Sequence, residues 1–237
     1  MPELGASGSA LRLAPEEAHY VTRVCRARPG DLVDATDGRG ALARLRLTNV
    51  GRDAGAEVIA VERRERTRRA WLWCGAPERG RADWMVEKLA ELGVERFQPL
   101  ECDGAPWPAG AARGERWQRL AVAALRQSRR VFLMEIRPAV PLDEALAGME
   151  RPAVCRVGDP DGLPALGGGP SAGAGALEIG AIGPSGGFSA EERARLGAAG
   201  FAPTRLADAR LRTETAAVSL AAWWAAGAGA PGQGGGD

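Results

Sequence analysis

The stretch Ala181-Ile182-Gly183-Pro184-Ser185-Gly186-Gly187-Phe188-Ser189 decides how this chain folds. The apolar run before it, Leu177 to Ile182, predicts a buried strand, and the amphipathic segment after it, Ala190 to Ala199, predicts a helix. Gly186 and Gly187 can adopt positive φ and let a ligand approach the backbone closely. The loop leaves backbone N–H groups free to bind a ligand, and an ordinary strand-to-helix turn explains this loop alone equally well.

A second loop of the same kind lies one αβ unit further along the chain. A short strand, Thr204 to Leu206, leads into a helix over about Thr213 to Ala226 through the segment Leu206-Ala207-Asp208-Ala209-Arg210-Leu211-Arg212. The first helix begins at Ser189, because Ser189 and Glu192 form a capping-box pattern. Two such units predict parallel strands with helices on both faces, and ligands in such sheets bind at the carboxyl ends of the strands.

The segments before these loops divide into two patterns. The N-terminal segment has short strands, one of which clearly alternates apolar and polar residues, and one helix that begins near Pro15. This pattern predicts a small β-barrel-like domain, and its strands are Ser9–Leu13, Leu32–Ala35, Ala41–Thr48 and Ala56–Glu62. From residue 70 onward, strands alternate with helices, and the predicted elements are Trp71–Cys74, Asp83–Leu92, Phe97–Leu100, Glu115–Arg130, Leu142–Met149 and Ala153–Val157. The last of these strands is predicted to end at the turn Gly158–Gly162.

Three further segments are predicted to lack regular structure. The arginine-rich run Arg63–Arg69 is either a solvated linker or a strap that contacts phosphates. The segment Gly167–Gly175 is predicted to be a mobile loop, and the glycine-rich end, Ala225–Asp237, a disordered tail.

Composition excludes several classes of protein. The 237 residues carry a net charge of +1, and no apolar run is long enough to span a bilayer. The N-terminus has no signal-peptide pattern, so we expect a cytoplasmic protein. Four widely spaced cysteines and a single histidine, His19, predict no metal site. The chain also has no Gly-x-Gly loop after an early strand, no Walker lysine after Gly187 and no Ser-His-Asp set.

The two loops together resemble those of the knotted SPOUT methyltransferases. Ile-Gly-Pro-x-Gly-Gly-Phe-Ser followed by Leu-Arg-Thr-Glu-Thr-Ala-Ala is similar to the family that methylates N3 of a uridine in 16S ribosomal RNA (the RsmE type). The resemblance extends to the segment from His19 to Asp31, to Glu87-Lys88-x-x-Glu91-Leu92-Gly93-Val94 and to the helix that includes Arg116-Trp117. It implies an α/β fold in which a trefoil-knotted parallel sheet domain follows a small PUA-like β-barrel domain.

The resemblance also implies a domain organisation and partners. We expect a PUA-like RNA-binding domain over residues 1–68, a methyltransferase domain with a C-terminal knot over 69–228, and a tail over 229–237. The implied cofactor is S-adenosylmethionine, the implied substrate is 16S ribosomal RNA or the small ribosomal subunit, and the implied assembly is a homodimer.

Site residues follow from the positions that match the family. Those expected to bind the cofactor are Val157, Gly158, Ile182, Gly183, Pro184, Gly186, Gly187, Leu206, Ala207, Leu211, Thr215 and Ala216. Those expected to bind RNA are His19, Arg23, Arg26, Arg129 and Arg130; for the last two, charge that complements a helix dipole is the alternative.

The implied reaction is in-line methyl transfer to N3 of uridine, which must lose its proton at about the time of transfer. A positioned base or a cation that stabilises the uracil anion would assist this step, and Arg212 and Glu214 are the candidates. Surface charge is the alternative for Arg212, and a helix N-terminal acid is the alternative for Glu214.

The chain departs from the family pattern in three places near the expected site. Ser185 replaces an acid, Glu101-Cys102-Asp103-Gly104 replaces a polar segment with an arginine, and Ala207 replaces a glycine within an altered segment, 207–210. A catalytically weakened paralogue that binds RNA as an assembly or regulatory factor is therefore a second hypothesis. A third is a nucleotide-binding protein that uses the Gly183–Gly187 loop on phosphates.

Overall fold

The computed structural model describes residue 4 and residues 6–108, 111–165 and 175–227. The chain forms two compact units, Met1–Arg66 and Thr67–Asp237. Most of the predicted mobile loop and the whole of the predicted tail over 229–237 lie outside the described residues. Gly175, at the end of that loop, is described, and its N–H donates to the Thr67 carbonyl over 3.1 Å.

The first unit is a four-stranded antiparallel sheet with one helical segment. Its strands are β1 (Ala10–Arg12), β2 (Leu32–Thr36), β3 (Ala41–Asn49) and β4 (Gly55–Arg63), in the order β1-β4-β3-β2. Helix α1 (Pro15–His19) begins with proline in its first turn and continues as a π-helical turn, Tyr20–Val24. On β3, Leu45 and Leu47 are buried and Arg44 and Arg46 are exposed, which confirms the alternation predicted from sequence.

The second unit is a parallel sheet with helices on both faces. Its elements are β5 (Arg69–Cys74), α2 (Ala82–Leu92), β6 (Arg96–Glu101), α3 (Ala111–Ser128), β7 (Glu135–Ile136), β8 (Val140–Pro141), α4 (Leu142–Ala147), β9 (Val154–Pro164), β10 (Leu177–Ile182), α5 (Ala190–Ala198), β11 (Ala202–Arg205) and α6 (Thr213–Gly227). The strand order is β11-β9-β10-β5-β6-β7, with β8 also beside β6. Every pair of neighbouring strands is parallel, which confirms the predicted architecture.

Two apolar cores lie on opposite faces of this sheet. Leu72 and Phe97 belong to the core that contains α2, α3 and α6, whereas Trp71 and Ile179 belong to the core that contains α4 and α5. Alternate residues of β5 therefore face different cores, as a strand period of two requires. Because β10 is buried along its whole length, the loop that follows it starts from a rigid point.

The predicted end of β9 was wrong. We expected the strand to stop at Val157, but it continues to Pro164 after the segment Gly158–Gly162 leaves the ladder. Pro203 of β11 pairs with Val157, and the next residue, Thr204, already pairs with Leu163. The segment Gly158–Gly162, which was predicted to be a turn, is therefore a bulge within one strand, because the chain pairs with the same strand again after it.

The end of α3 differs from the prediction. We expected this helix to run to Arg130, but it ends at Ser128 because Arg129 adopts a left-handed conformation with φ of 53°. Helix α6 ends at Gly227, close to the predicted Ala226, so Ala225 and Ala226, which were also assigned to the tail, are helical. Across the parts of the chain described above, no helix is both long enough and apolar enough to cross a membrane.

Candidate cofactor site

Three segments from different parts of the chain surround one cavity of about 380 Å³. They are the bulge of β9, the loop between β10 and α5, and the segment between β11 and α6. The lining residues are Val157, Gly158, Asp159, Pro160, Asp161, Ile182, Gly183, Pro184, Ser185, Gly186, Gly187, Phe188, Arg193, Leu206, Ala207, Ala209, Arg210, Leu211, Thr213 and Ala216. The cavity lies at the carboxyl end of β10, where ligands of parallel sheets are expected.

The loop after β10 is held in a tight conformation by its own backbone. The Gly187 N–H donates to the Pro184 carbonyl over 2.8 Å, and Gly187 has a φ of 83°. A Cβ atom on Gly183 would lie 2.7 Å from the Phe188 nitrogen, so only glycine fits there without a shift of the loop. The predicted capping box is confirmed, since Ser189 and Glu192 exchange both hydrogen bonds at the start of α5.

Two neighbouring elements fix this loop from outside. The Ile182 carbonyl accepts from the Gly75 N–H over 2.9 Å, and the Ser185 N–H donates to the Ala76 carbonyl over 3.3 Å. On the other side, the buried Thr213 hydroxyl donates to the Gly183 carbonyl over 3.0 Å. The glycine loop is therefore joined both to the segment after β5 and to the first residue of α6.

The bulge of β9 brings two carboxylates to the opposite wall. Asp159 and Asp161 both line the cavity, and the Asp161 N–H donates to the Asp159 Oδ1 atom over 2.9 Å. On the remaining sides, Arg193 and Arg210 contribute positive charge, and the Arg193 Nη1 atom donates to the Phe188 carbonyl over 2.6 Å. The cavity thus combines an apolar floor with groups of both charges.

Eleven of the twelve residues predicted to bind the cofactor line this cavity. The exception is Thr215, which is exposed on the first turn of α6 and is not among the lining residues. Ser185 and Ala207, two of the departures from the family pattern, lie in the lining. The predicted residues therefore include both loops that line the cavity and the first two residues of the third wall, Val157 and Gly158.

The two candidate catalytic residues lie beside the cavity and outside its lining. The Arg212 Nη1 atom is 2.6 Å from a Glu78 oxygen, and the Arg212 side chain is 60% exposed. Glu214 is 5% exposed, and its Oε1 atom is 3.8 Å from the Arg81 Nε atom. Its Oε2 atom is buried and has no hydrogen-bond partner among the described residues.

The residues predicted to bind RNA occupy different environments. His19, Arg23 and Arg26 are exposed on the first unit, and Arg129 is exposed at the end of α3. Arg130 is instead half-buried, its Nε atom donates to the Glu91 carbonyl over 2.5 Å, and burial lowers the pKa of its guanidinium. Arg130 therefore fastens the end of α2, which is a structural role.

The segment that replaces the family's arginine-containing stretch is attached to the helix after the glycine loop. The Glu192 Oε1 atom accepts from the Asp103 N–H over 3.0 Å, and the Ser189 hydroxyl donates to the Asp103 Oδ2 atom over 3.0 Å. Trp107 follows in the same segment, and its indole N–H donates to the Cys74 carbonyl over 3.3 Å. The loop between β6 and α3 and the start of α5 therefore share one hydrogen-bond network.

The residues predicted to bind the cofactor omit several polar lining residues, namely Asp159, Asp161, Arg193 and Thr213, together with Ser185 and Arg210, which were noted only as departures from the family pattern. Asp159 and Asp161 follow the predicted strand directly, so the rule that ligands bind at the carboxyl ends of parallel strands could have identified them. Arg193 gave no such signal, because a charged residue on an amphipathic helix usually faces solvent.

These residues fit S-adenosylmethionine. The cavity volume lies within the range of ligand pockets, about 300–1,000 Å³. A Cβ atom on Gly186 would meet nothing within 4 Å, so the backbone there is open to a ligand. Asp159 and Asp161 can accept from hydroxyl or ammonium groups, and Arg193 or Arg210 can bind a carboxylate. In the described part of the chain, no three His, Cys, Asp or Glu side chains are grouped to hold a metal ion.

Comparison with known proteins identifies both units. Residues 64–225 match the RNA methyltransferase domain, and residues 13–62 match the RNA methyltransferase PUA domain. The chain is 30% identical to the ribosomal RNA small subunit methyltransferase E of Synechocystis, over 89% of this chain and 71% of that protein. It is 28% identical to the protein of that name from Mycobacterium bovis, over 90% of this chain and 84% of the relative.

A solved structure of a protein with the same name is also similar to this chain. The ribosomal RNA small subunit methyltransferase E of Neisseria gonorrhoeae, bound to S-adenosyl methionine, superposes with a TM-score of 0.84 at 26% identity, and the match covers 94% of this chain and 93% of that one. The first of the two domain matches alone spans more than half of the 237 residues. The chain therefore belongs to the RNA methyltransferase family that includes ribosomal RNA small subunit methyltransferase E.

Proposed function

We propose that this protein is an S-adenosylmethionine-dependent methyltransferase that modifies N3 of a uridine in 16S ribosomal RNA. The observation that carries the proposal is the cavity, whose lining includes eleven of the twelve residues that the family pattern assigns to the cofactor. The relatives named for small-subunit ribosomal RNA, and the neighbour bound to S-adenosyl methionine, support the same reaction class.

S-adenosylmethionine supplies an electrophilic methyl group on a sulfonium when it is bound. The open backbone at Gly186 and Gly187 would hold it from one side, and the carboxylates of Asp159 and Asp161 would bind its polar groups from another. The apolar lining residues, which include the buried Val157, would pack against its apolar groups. Together these residues would hold the cofactor in a fixed position beside the entry of the base.

We assign to Arg212 the stabilisation of the uracil anion that forms when N3 loses its proton. Arg212 stands between the lining residues Leu211 and Thr213, so it is close to the edge where a base would enter. A guanidinium near uracil lowers the pKa of N3 and favours the nucleophilic form. Glu214 lies beside Arg81 and outside the lining, which supports a positioning role at the start of α6.

Replacement of Arg212 tests this assignment. Arg212→Ala should lower kcat by about 100-fold, the usual effect of losing one group that stabilises a developing anion, with little change in the Kd for the cofactor. Arg212→Lys keeps the charge and should retain more activity than Arg212→Ala. Equal kcat values in the wild type and Arg212→Ala would remove Arg212 from the mechanism.

We propose in addition that the enzyme works as a homodimer in the cytoplasm, where small subunits are assembled. The family resemblance supports the dimer, and the ribosomal substrate of the named relatives supports the compartment. Sedimentation velocity of the purified protein would test the dimer, since a monomer at micromolar concentration would contradict it.

The function is tested by two measurements on the purified full chain. Calorimetric titration with S-adenosylmethionine should give one site per chain with micromolar affinity. Small-subunit RNA, incubated with the protein and cofactor and digested to nucleosides, should contain N3-methyluridine by mass spectrometry. Methylation at another atom would correct the target and leave the reaction class intact.

The weakened paralogue is the second candidate, and Ser185 and Ala207 in the cavity lining favour it. Ala207 carries a methyl group where the family has glycine, which narrows the space for the cofactor. This reading predicts RNA binding without methyl transfer. It is rejected if the wild-type protein methylates small-subunit RNA in multiple turnovers.

A further inference from the structure

Three surface residues near the cavity, Arg79, Arg81 and Trp84, have no role in the proposed cofactor site. They lie in the loop between β5 and α2 and in the first turn of α2. Trp84 is 46% exposed, which is unusual for a tryptophan in a unit with two well-packed cores. Arg79 and Arg81 are both exposed. We call these three residues the rim.

The rim is joined to the cavity by backbone contacts. A Cβ atom on Gly75 would lie 2.5 Å from the Pro184 nitrogen, so the segment after β5 lies directly against the glycine loop. Arg212 approaches the same segment from the other side through its ion pair with Glu78. A long substrate that enters the cavity beside Arg212 would therefore lie close to the segment that carries the rim.

The two arginines of the rim are available to bind a ligand, and one of them is held in position by an ion pair. Arg81 is held by the buried Glu214 at 3.8 Å and is still 57% exposed, so most of its five N–H donors face solvent. Arg79 forms no ion pair with any described residue. The nearby Asp83 does not neutralise the rim, because it accepts from the Trp117 indole over 3.0 Å and pairs with Arg116 at 2.6 Å.

Trp84 lies three residues after Arg81, the residue that precedes α2, so the two side chains are expected to be neighbours at the start of this helix. An exposed indole beside guanidinium groups suits single-stranded RNA, whose bases stack on aromatic rings while arginines bind the phosphates. A folded protein partner would bury a larger apolar patch, whereas here a single aromatic side chain is surrounded by charge.

On the basis of the proposed function, we propose that the rim is an RNA-docking surface on the methyltransferase unit. Trp84 stacks on a base next to the target uridine, and Arg79 and Arg81 bind the flanking phosphates. Glu78 opposes this binding, because its carboxylate lies beside Arg212 on the path of the RNA backbone. The surface adds a second RNA contact to that expected on the N-terminal unit.

The test measures binding of a fluorescein-labelled single-stranded RNA that contains uridine, by anisotropy, with the full-length protein at several salt concentrations. Arg79→Ala and Arg81→Lys should each weaken binding, and Arg79→Ala should reduce the slope of log K against log salt by about 0.7, the value for one phosphate contact on a single strand. Trp84→Ala should weaken binding by about fivefold or more, and Trp84→Phe should keep most of the affinity. Glu78→Gln should strengthen binding.

Arg151→Ala is the matched control, because Arg151 is exposed in the same unit and precedes the amino end of β9, whereas the cavity lies at the carboxyl ends of the strands. All variants should bind S-adenosylmethionine as the wild type does, which shows that the fold is kept. The proposal would be overturned if the rim variants had the same RNA affinities and salt slopes as Arg151→Ala. A wild type whose RNA binding depends on the rim but which transfers no methyl group would overturn the proposed function alone.

Discussion

At the scale of single residues, Gly183 controls whether the cofactor loop can close. Its missing Cβ atom leaves room for the Phe188 nitrogen, and its carbonyl accepts from Thr213. Gly183→Ala should therefore displace the loop and weaken cofactor binding by about tenfold or more, which corresponds to about 1.4 kcal/mol or more. Calorimetric titration with S-adenosylmethionine measures the effect.

Gly186→Ala is the control for the stability of this variant and not for its cofactor affinity, because a Cβ atom at that position would meet nothing within 4 Å of the protein but would face the proposed cofactor. It should leave the melting temperature unchanged, whereas Gly183→Ala should lower it. A Gly183→Ala protein with wild-type affinity and melting temperature would show that the loop adapts to the methyl group.

The four cysteines differ in their environments, and this difference is measurable. Burial raises the pKa of Cys155 to about 11 and, with the nearby Glu192 carboxylate, that of Cys102 to about 12. The pKa of the fully buried Cys74 is also raised, mainly by burial, whereas Cys25 is exposed. Because only the thiolate is nucleophilic, a raised pKa leaves almost no reactive form at pH 8.

Iodoacetamide at pH 8 should therefore alkylate Cys25 quickly in the native protein and the other three thiols slowly. Intact-mass spectrometry would show one modification at early times and four after denaturation. Rapid native modification of Cys102 would mean that the segment after β6 opens readily.

At the scale of elements, the start of α5 is the point where two loops are fixed together. The Ser189 hydroxyl accepts from the Glu192 N–H and donates to Asp103, so its removal breaks the cap and the link to the β6–α3 loop. Ser189→Ala should cost about 1 kcal/mol or more, the usual cost of losing an N-cap. Thermal or urea unfolding measures the loss.

Ser189→Thr keeps the hydroxyl and should restore most of this stability. Hydrogen exchange separates the two roles, because Ser189→Ala should increase exchange at Asp103 as well as in α5. Faster exchange confined to α5 would show that Asp103 does not depend on this bond.

The elements that were predictable from sequence are those with a local cause. The strand Leu177–Ile182 has the predicted bounds, and the α5 cap has the predicted partners, since apolar runs and capping residues act over a few positions. The continuation of β9 beyond Val157 was not predictable, because it depends on pairing with β11, about forty residues later in the chain. The cavity was largely predictable, but the positions of Arg212 and Glu214 outside its lining involve ion pairs with Glu78 and Arg81, which no local pattern connects to α6.

At the scale of the whole molecule, every lining residue of the cavity belongs to the second unit, Thr67–Asp237. A fragment of residues 67–237 should therefore bind S-adenosylmethionine with an affinity within about threefold of the full chain, a difference below 1 kcal/mol. The same fragment should bind RNA more weakly, because it lacks His19, Arg23 and Arg26. Calorimetry and RNA anisotropy on the fragment measure both effects.

The full-length Arg23→Ala protein provides a control that keeps both units, and it should lose RNA affinity without a change in cofactor affinity. A folded fragment that cannot bind the cofactor would show that the first unit contributes to the site. Circular dichroism must therefore confirm that the fragment is folded before its affinities are compared.

The order of the three walls of the cavity along the chain has a consequence for synthesis, because α6 follows the other two walls. Thr213 and Ala216 form one wall of the cavity, and Thr213 also holds the glycine loop in place. A nascent chain on the ribosome therefore has no complete site until these residues have left the exit tunnel and α6 has docked. A chain that terminates before α6 lacks this wall and the bond that fixes the glycine loop.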